Sequence, residues 1–137
     1  MITPAGPENA TGLISAAYLK DPTDVTWKDD PGMNQWREFM AKYMPGADLT
    51  DAGPVFGYGV SYSLWQVLKQ CGTDFSRANI MKQAASLTNL VVPVLLPGIT
   101  VNTSATNFHP IRQMQLQKWD GKSWKLFGSV LTGAGDM

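Results

Sequence analysis

The chain is poor in the residues from which catalytic and metal sites are most often built, since its 137 residues include one cysteine and one histidine. With Cys71 alone, neither an intramolecular disulfide nor a cysteine-based metal site can form. His109 precedes Pro110 in a loop-like segment and has no second histidine or cysteine at ligand spacing. We therefore predict no catalytic residue, no metal and no cofactor, and we expect that the protein is not an enzyme.

Charge is scarce as well, because 16% of the residues are charged against about 25% in an average soluble protein. The eleven basic and eleven acidic residues cancel, and no basic cluster provides the electrostatic footprint of nucleic-acid binding. We therefore expect no nucleic-acid partner. The low charge content indicates that more surface than usual is buried, either inside a larger protein or against a partner.

Long hydrophobic runs are also missing. The longest, residues 90–96, is interrupted by Pro93 and falls far short of the ~20 residues that span a bilayer. The first residues, MITPAGPENATG, have neither the basic nor the apolar region of a signal peptide. We predict no membrane segment and no signal peptide in this chain.

Three segments have helical periodicity and recognisable end signals. An Asp-Pro pair at 30–31 provides an N-cap and a proline at the first helical position, and a Pro-Gly pair at 45–46 ends this helix. A second helix is predicted from about 54 to 70 with Gly72 as its C-terminal stop, and a third begins at the capping residue Ser76. The apolar faces predicted for the three helices are Met33, Trp36, Phe39, Met40 and Tyr43; Val55, Tyr58, Tyr62, Trp65 and Leu68; and Ile80, Ala84 and Leu87.

The other apolar segments predict strands. GLISAAYL, residues 12–19, has the continuous apolar character of a central strand covered on both faces of a parallel sheet. Residues 91–96 form a short strand candidate that Pro93 weakens. A β-hairpin is predicted with strands near 111–119 and 124–130 around an Asp-Gly turn. Both hairpin faces carry apolar residues, with Met114, Leu116 and Phe127 on one and Trp119, Trp124 and Leu126 on the other.

The order of these elements resembles the C-terminal part of bacterial ABC-transporter solute-binding proteins of the branched-chain amino acid (Leu/Ile/Val-binding) family. The resemblance extends over about residues 4–131 and rests on local phrases, namely AAYLKDP, FMAKYMPGADLTDA, VFGYGVSYSLWQVLKQCG, LLPGI and QMQLQKWDGKSW. It implies an α/β fold, specifically a partial type I periplasmic-binding-protein fold with a crossover strand, three helices and a C-terminal β-hairpin. We expect residues 1–11 to be disordered or extended, 12–131 to be the C-terminal fragment of a two-lobed protein, and 132–137 to be a flexible tail.

The resemblance also implies a function. In this family a ligand sits in a cleft between two lobes, and the parent protein would be the periplasmic substrate-binding component of an ABC transporter for branched-chain amino acids or similar small organic solutes, with a membrane permease as partner. The helix that begins near VFGYG starts close to the cleft in the family, so Phe56 or Tyr58 would line the pocket for the ligand's side chain. Tyr18, where the strand leaves the second lobe, would also face the cleft. The family's groups for the α-carboxylate and α-amino group lie upstream of Met1, so we expect this chain not to bind ligand by itself.

Two other interpretations stay open. In the first, the helix faces pack on a sheet and no ligand is needed to explain their aromatic residues, such as Trp36, Phe39, Tyr43 and Trp65. The chain is alternatively a freestanding, self-associating protein-interaction module. Since one strand cannot cover three apolar helix faces, we expect a homo-oligomer under either interpretation.

Overall fold

A computed structural model describes residues 6–133 of the chain. These residues form three α-helices and three β-strands, in the order β1 (Ile14–Ala17), α1 (Pro31–Tyr43), α2 (Ala52–Gln70), α3 (Arg77–Ala84), β2 (Gln113–Trp119) and β3 (Trp124–Thr132). Of the segments expected to be disordered, extended or flexible, residues 1–5 and 134–137 lie outside the described residues. Within the described part of these segments, Pro7–Ala10 form a 3₁₀ turn and β3 continues to Thr132.

Each helix begins at a side-chain cap that satisfies a free backbone N–H. Asp30 Oδ1 accepts from the Met33 N–H at 2.8 Å and begins α1. The second helix begins two residues before the predicted start because Asp51 Oδ1 accepts from the Gly53 N–H at 2.8 Å. Ser76 caps α3 through the Asn79 N–H at 3.3 Å. The three predicted helices are therefore confirmed.

The strands form one antiparallel sheet in the order β1-β2-β3. The predicted hairpin is confirmed, with Trp119 opposite Trp124 and Leu116 opposite Phe127. Asp120 closes the turn by accepting hydrogen bonds from the Lys122 and Ser123 N–H groups, each at 2.8 Å.

The prediction of a doubly covered strand in a parallel sheet is wrong. β1 is an edge strand that pairs antiparallel with β2, with Ile14 opposite Lys118. Its first three residues are exposed. An antiparallel sheet needs cover on one face only, so the apolar run does not place this strand at the centre of a sheet.

An irregular segment, residues 85–112, supplies much of the core. The strand predicted at 91–96 is absent, since only isolated bridges join Leu19 to Leu95 and Leu90 to Val101. Pro93 has no N–H to donate to a ladder, which accounts for the difference. The buried apolar residues of the segment are nevertheless packed against both long helices; they are Leu87, Val92, Val94, Leu95, Leu96, Ile99 and Val101.

The buried face of α2 differs from the predicted one. Val55, Gly59 and Val67 are its buried residues, whereas Trp65 is about half exposed at 49%. A Cβ atom at Gly59 would lie 3.1 Å from Val94 Cγ2. The glycine therefore lets α2 approach the irregular segment closely, and this contact turns the aromatic side of the helix partly toward solvent.

Candidate functional site

A cavity of about 420 Å³ lies where the end of β1, the first half of α2 and the irregular segment meet. Most of its wall is apolar. The side chains and backbone that line it belong to Tyr18, Leu19, Phe56, Gly59, Val60, Ser63, Val92, Leu95, Val101, His109, Pro110, Ile111 and Met114. Its size and composition are typical of small-molecule pockets, which measure about 300–1,000 Å³ and are mostly hydrophobic.

Two of the residues predicted to bind ligand, Tyr18 and Phe56, line this cavity. Tyr18 follows β1 directly, and its carbonyl oxygen accepts a hydrogen bond from the Leu96 N–H at 2.9 Å. That bond fixes the backbone of Tyr18 against the core segment. Phe56 lies near the start of α2 and is 51% exposed, so its ring is available to a ligand.

The third predicted residue, Tyr58, lies in a different place. It lines a wider groove of about 1,000 Å³ between α1 and α2, where its ring centroid is 5.3 Å from that of Phe39 and 6.4 Å from that of Tyr62. Partial burial, with a smaller contribution from Tyr62, raises the pKa of the Tyr58 hydroxyl above its usual value. The structure thus brings Tyr18 and Phe56 together and separates Tyr58 from both.

Sequence reasoning did not select the other polar residues of the cavity, Ser63 and His109. Ser63 Oγ donates to the Gly59 carbonyl oxygen within α2 at 2.9 Å. His109 comes from the irregular segment, far along the chain from Tyr18, and local spacing gives no signal that joins them. Only the folding of residues 85–112 over the start of α2 places His109 beside Phe56 and Tyr18.

No acidic, lysine or arginine side chain is among the described residues that line the cavity. Within residues 6–133, no three His, Cys, Asp or Glu side chains come together in a group that could hold a metal ion. None of the helices in the same range is long and apolar enough to cross a membrane. What the arrangement offers a ligand is therefore a mostly apolar wall with a few polar residues.

Comparison with known proteins identifies the fold. No protein-family model matches the sequence, and no curated protein matches it either. The structure is similar to a crystal structure described as a branched chain amino acid ABC transporter from Thermus thermophilus with bound valine, with a TM-score of 0.66 and 13% sequence identity. The match covers 97% of this chain and 36% of the other, so this chain spans about a third of the length of that structure. The predicted fold class is confirmed at this level: the protein has a mixed helix and strand fold similar to a fragment of a periplasmic binding protein.

Proposed function

We propose that this chain is part of the solute-binding component of an ABC transporter and supplies one wall of the cleft that captures a small organic solute. The observation that carries the proposal is the fold similarity over 97% of the chain to a transporter structure described with bound valine. A periplasmic location and a membrane permease as partner belong to the same proposal.

The cavity beside Tyr18 and Phe56 is the part of the surface that suits this role. Its apolar wall favours the transfer of a hydrophobic solute from water, at roughly 25 cal/mol per Å² of apolar area buried. No step of such a capture requires a covalent bond, so the proposed role is non-catalytic. Binding would act by bridging two lobes, because a ligand with more contacts in the closed form shifts the open–closed equilibrium toward it.

The proposal is tested by adding solutes to the ¹⁵N-labelled chain and following its amide resonances. Because the chain would supply only one wall of the cleft, we expect millimolar valine, leucine or 4-methylpentanoate to cause small, non-saturating shifts of the cavity resonances. We expect Phe56→Ala to reduce those shifts while the melting temperature changes little. Phe75→Ala is the matched control, because Phe75 is similarly exposed, at 59%, and is not among the cavity residues. Absence of shifts in the cavity with all three solutes would contradict the proposal.

A second candidate function is supported by a different surface. Phe39 and Trp65 line the groove between α1 and α2 and are 41% and 49% exposed. The ring of Tyr43, which is 60% exposed, lies beside the groove with its centroid 4.9 Å from that of Phe39. Such aromatic side chains are enriched in the cores of protein interfaces. We therefore retain a self-associating interaction module as the alternative proposal, and its test is the oligomeric state considered in the Discussion.

A further inference from the structure

The sheet has an inner face that packs on the core and an outer face that does not. Residues directly opposite each other in an antiparallel pair carry their side chains on the same face, and residues two apart along a strand share that face. On the inner face, Ala17 and Leu126 pack against the core. The register places the alternate positions on the outer sheet face, in three rows that run across the strands: Ile14, Lys118 and Lys125; Ala16, Leu116 and Phe127; and, beyond a bulge in the β2–β3 pair, Met114 and Leu131.

This outer sheet face is largely apolar and open to solvent. Ile14, Met114, Phe127 and Leu131 are between 40% and 57% exposed, and they come from all three strands. Single exposed apolar residues are ordinary on protein surfaces, but contiguous ones mark sites of interaction. Because the register makes these residues neighbours, the outer sheet face is one continuous patch.

Two positive charges lie at one end of the patch. Lys118 and Lys125 are directly opposite each other and both are exposed, an arrangement in which like charges destabilise a strand pair. The Asp120 carboxylate of the hairpin turn interacts with the charge of Lys125, but its Oδ1 atom already accepts hydrogen bonds from two backbone N–H groups of the turn. A carboxylate brought to this end by a partner adds attraction where the two lysines repel each other.

We propose that the outer sheet face is the docking site for an amphipathic helix of a partner protein. An apolar stripe of the helix lies on Ile14, Phe127 and Leu131, and acidic side chains at one end of the stripe pair with Lys118 and Lys125. The width agrees with one helix, because the outer strands of a three-stranded sheet are roughly 10 Å apart and an α-helix with its side chains is about 10–12 Å across. From the lysine row to the third row is roughly 14 Å along the strand, the length of about nine helical residues.

Charge separates this partner from two other occupants. A second copy of this chain would bring the same two lysines and no carboxylate, because none of the residues in the three rows is acidic. An anionic lipid surface also attracts lysines, but a flat bilayer contacts basic residues all around an apolar patch, whereas these lysines lie at one end of it. Docking of a helix here requires no bound solute, although Met114 borders the cavity as well.

Two labelled peptides test the site by fluorescence anisotropy. Each is a helix of about 14 residues, stapled on its polar side, with leucines along one face; one peptide has two glutamates at the end of that face and the other has two lysines there. We expect the glutamate peptide to bind the unaltered chain at least about tenfold more tightly than the lysine peptide, with amide resonance shifts in the three strands. Equal binding of the two peptides, or shifts confined to the groove between α1 and α2, would overturn the proposal.

Charge reversal provides the sharpest variant. Lys118→Glu combined with Lys125→Glu keeps a like-charge pair and should reverse the preference between the two peptides, whereas Lys82→Glu, at an exposed position in α3, should leave it unchanged. Phe127→Ser should weaken binding of the glutamate peptide by about tenfold. Phe75→Ser is its matched control, because Phe75 is exposed, at 59%, and lies outside the three strands.

Vesicles of phosphatidylglycerol test the competing occupant. If the chain sediments with these vesicles and binds neither peptide, the outer sheet face is a lipid-binding surface and the proposal is wrong. Binding of neither peptide and no vesicle would overturn it as well. Comparison of the two peptides on the unaltered chain decides the matter even where a variant fails to fold.

Discussion

Lys20 is a buried charge at which three parts of the chain meet. It is 7% exposed, and its Nζ donates to Asp30 Oδ1 at 2.7 Å and to the Pro93 carbonyl oxygen at 2.8 Å. The same Oδ1 atom caps α1 through the Met33 N–H. The Lys20–Asp30 ion pair therefore joins the segment after β1 to the start of α1 and, through Lys20, to the irregular core segment.

Removal of that carboxylate should cost more than the loss of an ordinary helix cap. We expect Asp30→Ala to lower the free energy of unfolding by about 3 kcal/mol, because a buried charge without its partner is strongly destabilising. Asp51→Ala removes the corresponding cap of α2, which forms no ion pair with any of residues 6–133, and should cost about 1 kcal/mol. Urea unfolding measures both, and equal losses in the two variants would show that the ion pair adds nothing to stability.

The same carboxylate predicts how stability depends on pH. Partial burial by itself raises the pKa of Asp30. The hydrogen bond from Lys20 outweighs this effect, together with the hydrogen bonds from the Met33 and Gly32 N–H groups and the attraction of the Lys20 charge. The pKa of Asp30 is therefore below its usual value. A lowered pKa in the folded state gives stability that is present above the unfolded-state pKa of about 3.9 and is lost as the pH falls through the folded-state value. We expect the free energy of unfolding, measured with urea, to fall progressively below about pH 4. Asp30→Asn should make this dependence on pH shallower. Asp29→Asn, at the exposed neighbouring position, should leave the slope unchanged; a slope that Asp30→Asn does not alter would refute the assignment.

At the scale of elements, two glycines decide how closely the long helices approach the irregular core segment. A Cβ atom at Gly32 in α1 would collide with the carbonyl oxygen of Pro93 and lie 2.8 Å from its carbonyl carbon. These are backbone atoms, which cannot move aside as a flexible side chain can. Gly59 in α2 meets the softer obstacle of a valine methyl group at 3.1 Å.

Three glycine-to-alanine variants should therefore give graded results. Gly57→Ala has no atom within 4 Å of the new Cβ and should stabilise the protein by up to about 1 kcal/mol through helix propensity. In Gly59→Ala, contact of the new Cβ atom with Val94 should cancel that gain. Gly32→Ala should destabilise the protein by more than about 1 kcal/mol, although alanine is a better helix former than glycine. Thermal unfolding monitored by circular dichroism ranks the three. A stabilised Gly32→Ala would mean that α1 does not pack against Pro93 as described.

The elements that the sequence predicts correctly are those with local chemical signals. Asp30 begins a helix by accepting a hydrogen bond from a backbone N–H three residues later. Asp120 closes the hairpin by accepting from backbone N–H groups two and three residues later. The edge position of β1 has no such signal, because it depends on the pairing of Ile14 with Lys118 over a long separation. The cavity follows the same rule: the family resemblance points to Tyr18 and Phe56, whereas His109 joins them only through the path of the irregular segment.

At the scale of the whole molecule, this chain has about a third of the length of the transporter structure that it resembles. As the single cleft wall that we propose, it would provide apolar contacts to a ligand and leave the ligand's charged ends without partners. We therefore expect no saturable binding of leucine at micromolar concentration by a confirmed monomer, because unpaired polar groups are costly to bury. Isothermal titration calorimetry on a monomeric fraction measures this. Saturable micromolar binding would show that the chain holds a complete site.

Exposed apolar surface leads to the last prediction, that the chain self-associates. The core closes over Met33, Trp36 and Met40, but the groove between α1 and α2 leaves Trp65 49% exposed, and β1 is an edge strand of the sheet. Contiguous apolar patches and free edges both favour association, and a symmetric dimer is the commonest result. Sedimentation at ~10 µM, where a nanomolar dimer would be almost fully formed, should show a dimer or a larger species.

Trp65→Lys in the groove should shift the protein toward monomer, whereas Phe75→Lys, outside the groove, should not. A cooperative, well-folded monomer at this concentration that binds no hydrophobic dye would instead mean that the exposed aromatic residues are tolerated in water, and that neither the groove nor the strand edge is an interface.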